Sequence, residues 1–232
     1  DVYEELKALQ PMLPALREVV ALGDGGILDG KETRGKSRKN SHAVGARFGP
    51  GPSRLDDPAL IIYTSGTTGP PKGVILTVAN LLIDADAIAD RHGFGLTDRL
   101  MCVLPVHHVN GIVVTLMTPF YCKGSVVLNR KFKTGSFWRR LHEEQATGVS
   151  VVPTLLEFLL DANEDIAAYR LDRFGGAICG AGPLLKDTAL RFEDRFGFPI
   201  RHGYGLSETT CYSSFLPNDL TGEEHRHWLT DF

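Results

Sequence analysis

Residues 63–74 read YTSGTTGPPKGV, which places three glycines, five hydroxyl-bearing residues, two prolines and one lysine in twelve positions. The apolar run ALII (59–62) precedes the stretch, and the amphipathic run ILTVANLLIDADAIAD (75–90) follows it. Gly66, Gly69 and Gly73 open backbone conformations that side chains close off, so amide N–H groups can converge on one point. Ser65, Thr67 and Thr68 add hydroxyls, and Lys72 adds a mobile positive charge. Such a loop is either a cradle for phosphates or a tight turn. It is not the Walker loop G-x-x-x-x-G-K-S/T, because Pro71 stands before Lys72 and Gly73 after it, and G-x-G-x-x-G is not met either.

Working outward, short apolar runs alternate with helical patterns. ALIIYT reads as a short buried strand, TVANLLIDADAIADRHG as a helix and RLMCVLP as a second strand. GIVVTLMTPFYCKG reads as a buried helix ending at Gly124, and SVVLN as a strand. TGSFWRRLHEEQATG reads as a helix with Thr134 or Ser136 as its N-cap. VSVVP, FGGAICGAG and PIRHGYG read as further strands. TLLEFLLDANED and LLKDTALRFEDRFG read as helices, the latter stopped by Gly197. The alternation predicts an α/β fold of βαβ units with a mostly parallel sheet flanked by helices. In such sheets ligands sit at the carboxyl ends of the strands. Four unusual loops follow strands: SGTTGPPKG, HHVNG, GAGP and GLSETT. The pattern places all four on one rim of one sheet.

Composition bounds the rest. With 43% hydrophobic and 23% charged residues, the chain is that of a globular protein. A net charge of −3 gives no global pull toward nucleic acid or an acidic membrane surface. No apolar run approaches the ~20 residues of a membrane span. Cys102, Cys122, Cys179 and Cys211 form no CxxC pair and read as reduced structural thiols of a cytoplasmic protein. The HRHW run near the end reads as a surface helix rather than a metal site. Residues 1–56 read as a peripheral lead-in, first a proline-broken helix and then a basic, glycine-rich loop. Between Lys31 and Arg54 seven Lys or Arg face one Glu. This segment lacks the series of interleaved aromatic platforms that nucleic-acid stacking needs, and it reads as a solvated loop. Residues 57–232 read as the core.

The loops together resemble a known family. Thr64–Gly73 fits the phosphate-loop pattern S/T-S/G-G-S/T-S/T-G-x-P-K-G of the adenylate-forming (AMP-binding) superfamily at every fixed position. LPVHHVNG is similar to the family's next motif, with His108 on its histidine and His107 where an aromatic residue is usual. GGAICGAGPL resembles the adenine-binding strand and turn, and YGLSETT resembles the motif with the adenine-stacking Tyr and the magnesium-binding Glu. The order of the four motifs over residues 58–215 is the family's.

The resemblance implies ATP-dependent activation of a carboxylate to an acyl-adenylate, followed in acyl-CoA synthetases by transfer to coenzyme A. Both partners of the first step are anions, so the site must neutralise charge and hold them in line. By resemblance, Lys72 with Thr64, Ser65, Gly66, Thr67, Thr68 and Gly69 holds the β- and γ-phosphates. Glu208 holds Mg²⁺, and Ser207 or Thr209 contacts the α-phosphate. Tyr204 and Gly205 face the adenine, which approaches the backbone at Gly180, Ala181 and Gly182. His108 borders the acyl pocket. Lys72, Glu208 and His108 are the candidate catalytic residues, and ATP or AMP, Mg²⁺ and coenzyme A are the implied ligands.

The absence of an acid in PVHHVNG implies a plain carboxylic acid, fatty or aromatic, rather than an α-amino acid. The resemblance covers only the middle of a family member. No lysine follows Lys186, so the lysine-bearing C-terminal domain of the family has no counterpart here. The chain, which begins with Asp, reads as a fragment that has little or no turnover alone. The alternatives are a non-catalytic nucleotide-binding or interaction module, and adenylation without transfer to coenzyme A.

Overall fold

The computed structural model describes residues 21–23, 26–28, 54–64 and 69–230. The chain falls into two units, residues 1–53 and 54–232. In the first, β1 (Ala21–Gly23) pairs antiparallel with β2 (Gly26–Leu28). The proline-broken helix and most of the basic loop expected there lie outside the described residues.

The second unit opens with a hairpin. β3 (Pro58–Thr64) pairs antiparallel with β4 (Lys72–Thr77), with Thr64 opposite Lys72 and Ile62 opposite Val74. This corrects one expectation. ALIIYT is half-buried rather than buried, since Ile62 faces the core while Ile61 faces outward. The strand β4 adds an element the sequence reading did not assign, with Leu76 facing the core and Ile75 facing outward. Helix α1 (Val78–His92) begins only at Thr77, whose hydroxyl accepts from the Asn80 amide at 3.2 Å while Asn80 Oδ1 accepts from the Thr77 amide at 2.9 Å. Gly93, at φ 66°, ends it in the left-handed region.

The main sheet follows. β5 (Arg99–Cys102), β6 (Ser125–Leu128), β7 (Gly148–Val151), β8 (Ala177–Cys179) and β9 (Ile200–Tyr204) run parallel. β10 (Ser214–Phe215) closes the β9 edge antiparallel. The spatial order is β6-β5-β7-β8-β9-β10. The winding therefore reverses between β5 and β7, and a doubly wound sheet opens its crevice at that point.

The crossovers explain the two cores. Between β5 and β6 the chain forms a π-helix (Asn110–Met117) that runs into α2 (Thr118–Tyr121), where the sequence suggests one regular helix. Val113 and Val114 pack there with α1, Ile62, Leu76 and Tyr212 on one face of the sheet. The later crossovers are α3 (Phe137–Glu143), α4 (Pro153–Asp161) and α5 (Lys186–Phe196). They bury Trp138, Leu156, Leu159, Phe192 and Phe196 on the opposite face, together with Leu229 of α6 (Gly222–Thr230). Trp138 stands among Phe137, Phe174, Phe192 and Phe196, with ring centroids 4.6–6.4 Å away. α3 is entered through a 3₁₀ turn at Thr134–Ser136, and neither expected cap residue makes a side-chain capping bond. Gly197 ends α5 at φ 73°, as expected.

All four cysteines are free, and Cys102, Cys179 and Cys211 are buried. Burial pushes the Cys179 thiol up to about 12, so it stays protonated and unreactive at neutral pH. Among the described residues, no helix is long and apolar enough to cross a membrane, and no cluster of His, Cys, Asp and Glu could hold a metal ion.

Asp84 is a buried carboxylate on α1 that accepts from the Tyr212 amide at 3.4 Å. Burial raises its pKa to about 6, against the lowering effect of the Tyr212 and Cys211 amides. The folded value exceeds the unfolded one, so the folded chain holds the proton more tightly than the unfolded chain across about pH 4–6. The Asp84 contribution to stability therefore falls as pH rises through that window. Buried His92, with its pKa lowered to about 3 by burial, contributes a rise with pH over the same range, so the Asp84 component is read by difference: from pH 4 to pH 7 the urea midpoint of Asp84→Asn is expected to rise relative to that of the unaltered chain. An unchanged slope in Asp84→Asn would refute the assignment.

Candidate functional site

Three of the four loops leave the carboxyl ends of parallel strands. Leu104–Asn110 follows β5, Gly180–Gly182 follows β8, and Gly205–Thr209 follows β9. The fourth departs from expectation. The strand before residues 65–71, β3, pairs with β4 in a separate two-stranded sheet and is not a strand of the main sheet. Ser65, Gly66, Thr67 and Thr68 lie outside the described residues. Thr64 is half-buried at the end of β3, and Gly69 and Lys72 are exposed.

The three rim loops meet. A cleft of about 50 Å³ is bordered by His108, Ala181, Gly205, Leu206 and Ser207 and floored by Val109, Asn110, Cys211 and Tyr212. Residues 97 positions apart in the chain, His108 and Gly205, thus share one concavity. Tyr204, at the end of β9, and Glu208, on the loop that follows, flank it; both are exposed, Tyr204 to 61%, and neither lines it.

The local chemistry refines each candidate. Gly180 was read as room for a base, yet a Cβ there would collide with the Tyr212 phenol. At Gly205 a Cβ would collide with the Cys211 carbonyl, whereas at Gly182 it would meet only Pro153 at 3.6 Å. Ala181 takes the left-handed conformation at φ 61°, which costs an L-residue roughly 1–2 kcal/mol. That strain sits on the cleft border, as strained backbone at ligand sites often does.

Thr209 spends its hydroxyl locally, accepting from the Leu206 amide at 3.0 Å and donating to the Leu206 carbonyl at 3.1 Å. Ser207 Oγ makes no hydrogen bond among the described residues, which leaves it the better donor for a phosphate oxygen. Behind Glu208 the backbone folds into a γ-turn. Thr210 sits at φ 73°, ψ −65°, and the Cys211 amide donates to the Thr209 carbonyl at 3.0 Å. This rare, strained turn presents Glu208 outward while Cys211 and Tyr212 go into the core.

Asn110 is the residue that ties the cleft together. Its Nδ2 donates to the Tyr212 hydroxyl at 3.2 Å, and its Oδ1 accepts from the Ser150 hydroxyl on β7. The Asn110–Ser150 bond spans the winding reversal between β5 and β7. Only the Asn-Gly pair before an apolar run hinted at it in sequence, since both partners are distant. Burial holds the Tyr212 phenol well above its usual range, so it remains neutral.

At about 50 Å³ the cleft itself admits only a small group such as a phosphate oxygen, and a larger ligand would lie across its rim. The arrangement offers a free hydroxyl, an exposed aromatic residue, and one exposed carboxylate. A single carboxylate fits Mg²⁺, which keeps several waters and takes its remaining ligands from phosphates.

Comparison with known proteins gives a separate result. Residues 2–227 match the profile of the AMP-binding enzyme family. The sulfoacetate–CoA ligase of Cupriavidus necator is 38% identical over 168 residues, covering 72% of this chain and 32% of that protein. The 2-succinylbenzoate–CoA ligase of Enterococcus faecalis is 34% identical, with 74% and 34% covered. The crystal structure of ATP-bound MatB from Rhodopseudomonas palustris superposes with a TM-score of 0.65 at 30% identity, covering 72% of this chain and 33% of that one. The chain thus spans about a third of the length of these relatives.

The glycine contacts give a graded test. Gly205→Ala forces a Cβ into backbone and is expected to cost about 1–3 kcal/mol of unfolding free energy, as overpacking does. Gly182→Ala is expected to stay within about 0.5 kcal/mol. Urea denaturation measures both, and equal costs would contradict the placement of the 205–212 segment.

Proposed function

The chain belongs to the AMP-binding enzyme family, and from that premise we propose that it is the nucleotide-holding part of an ATP-dependent acid–thiol ligase. The parent activates a small carboxylic acid as an acyl-adenylate and then passes the acyl group to coenzyme A. One observation carries this reading: His108, Ala181, Gly205 and Ser207, from three separate loops, border one cleft at the carboxyl ends of the strands. The adenylate-binding core begins near Asp57, and the preceding residues are a lead-in.

In this proposal the adenine lies against Tyr204 and the turn Gly180–Gly182. Ser207 donates to the α-phosphate, and His108 borders the acid. Lys72, with the Ser65–Gly69 backbone, holds the β- and γ-phosphates and neutralises the departing pyrophosphate. Glu208 holds Mg²⁺, which when bound screens the phosphate charge against the incoming carboxylate. The relatives are named for sulfoacetate and 2-succinylbenzoate, acids with a second anionic group. A plain fatty or aromatic acid rather than an α-amino acid, expected from the absence of an acid in PVHHVNG, stays part of the proposal, and 2-succinylbenzoate carries an aromatic ring.

Turnover is a separate matter. The chain spans a third of its relatives and has no lysine after Lys186, so nucleotide binding without catalysis is the proposed behaviour of these 232 residues.

Calorimetric titration with ATP and AMP, with and without Mg²⁺, tests the reading. Lys72→Ala is expected to weaken ATP binding about tenfold or more, the scale of a lost charge-assisted hydrogen bond, and to leave AMP binding nearly unchanged. Glu208→Gln is expected to remove the Mg²⁺-dependent gain for ATP. Failure of the unaltered chain to bind either nucleotide would overturn the proposal. Acid-dependent pyrophosphate exchange by the chain alone would overturn the part that denies it turnover.

A further inference from the structure

Asn110, Ser150 and Tyr212 are 3%, 0% and 9% exposed, so their polar groups have little recourse to water. They satisfy one another. Ser150 donates to Asn110 Oδ1, and Asn110 Nδ2 donates to the Tyr212 phenol oxygen. Both ends of the Asn110 amide are engaged, which fixes its plane. Asn110 opens the π-helix two residues after His108, so fixing its side chain fixes the exit of the His108 loop.

Tyr212 fixes the other side. Its ring packs on Phe215 with centroids 4.3 Å apart and fills the space beside Gly180 and Gly203. Its backbone amide is held by Asp84. The γ-turn at Thr210 then ties Tyr212 to Ser207 and Glu208 through three intervening residues. No other hydrogen bond described joins the His108 loop to the segment that follows Glu208.

We propose that Asn110 and Tyr212 are positioning residues of the site. Their hydrogen bond sets the spacing between His108 and the Gly205–Thr209 loop, and so sets the cleft in its ligand-ready width. The Ser150 hydroxyl anchors this pair to β7 at the winding reversal. The inference rests on the proposed nucleotide role only for its binding readout.

The test uses Tyr212→Phe and Asn110→Ala, with Ile200→Val in the opposite core as a control for general loss of stability. Two quantities are read for each: AMP affinity by calorimetry, and the NMR signals of the His108 ring and the Ser207 and Glu208 amides in the free chain. Tyr212→Phe keeps the ring and removes only the bond. It is expected to shift both sets of signals and to weaken AMP binding about tenfold, the scale of losing an orienting partner behind a binding group. Ile200→Val is expected to move neither quantity. Asn110→Ala carries the same readouts from the other end of the bond, so a folding failure of one variant leaves the other to decide. A lowered melting temperature in these variants with His108, Ser207 and Glu208 signals unmoved would overturn the inference. If the unaltered chain binds no AMP, the proposed function falls, and the NMR signals alone decide the positioning role.

Discussion

The Tyr212 phenol stands where a Cβ on Gly180 would be. Gly180 follows β8, Gly203 lies in β9, where the Phe215 and Tyr212 rings together fill the space a Cβ would take, and the Tyr212 hydroxyl accepts from Asn110. A buried hydroxyl must be hydrogen-bonded or cost the chain its desolvation. Its partners here are an amide from the segment after β5 and the serine on β7 that also bonds the other end of that amide. The consequence is geometric. Three segments far apart in sequence are held at one edge of the sheet, and the edge is the one where a doubly wound topology leaves its crevice. The cleft follows from satisfying a few buried polar atoms.

Much of this was legible beforehand, and the reasons differ by element. α1 was readable because its apolar residues repeat with helical period and Thr77 with Asn80 forms a capping box. α5 was readable because Gly197 stops it. The parallel sheet followed from strand–helix alternation. The β3–β4 pairing was missed because seven residues of phosphate-loop chemistry separate the two strands rather than a short Asn-Gly pair, and because β4 is short and runs directly into α1. The π-helix was invisible because its hydrogen-bond register leaves no mark in apolar periodicity.

At the site, side-chain types were readable and side-chain accounts were not. Ser207 and Thr209 look equivalent in SET. Only the structure shows that Thr209 closes its own loop while Ser207 stays free. Gly180 and Gly205 look like ligand clearance, yet the chain itself fills the space. Asn110 looked inert because its two partners lie 40 and 102 residues away. Burial accounts of this kind depend on tertiary contacts, which no local pattern encodes.

The central claim is that the cleft between the His108 loop, the Ala181 turn and the Gly205–Thr209 loop holds an adenosine phosphate. A crystal structure of the 232-residue chain grown with AMP tests it most directly. The expected result places the adenine against Tyr204 and the Gly180–Gly182 turn, with a phosphate oxygen at hydrogen-bond distance from Ser207 Oγ. AMP bound elsewhere on the chain, with this cleft unchanged, would contradict the account.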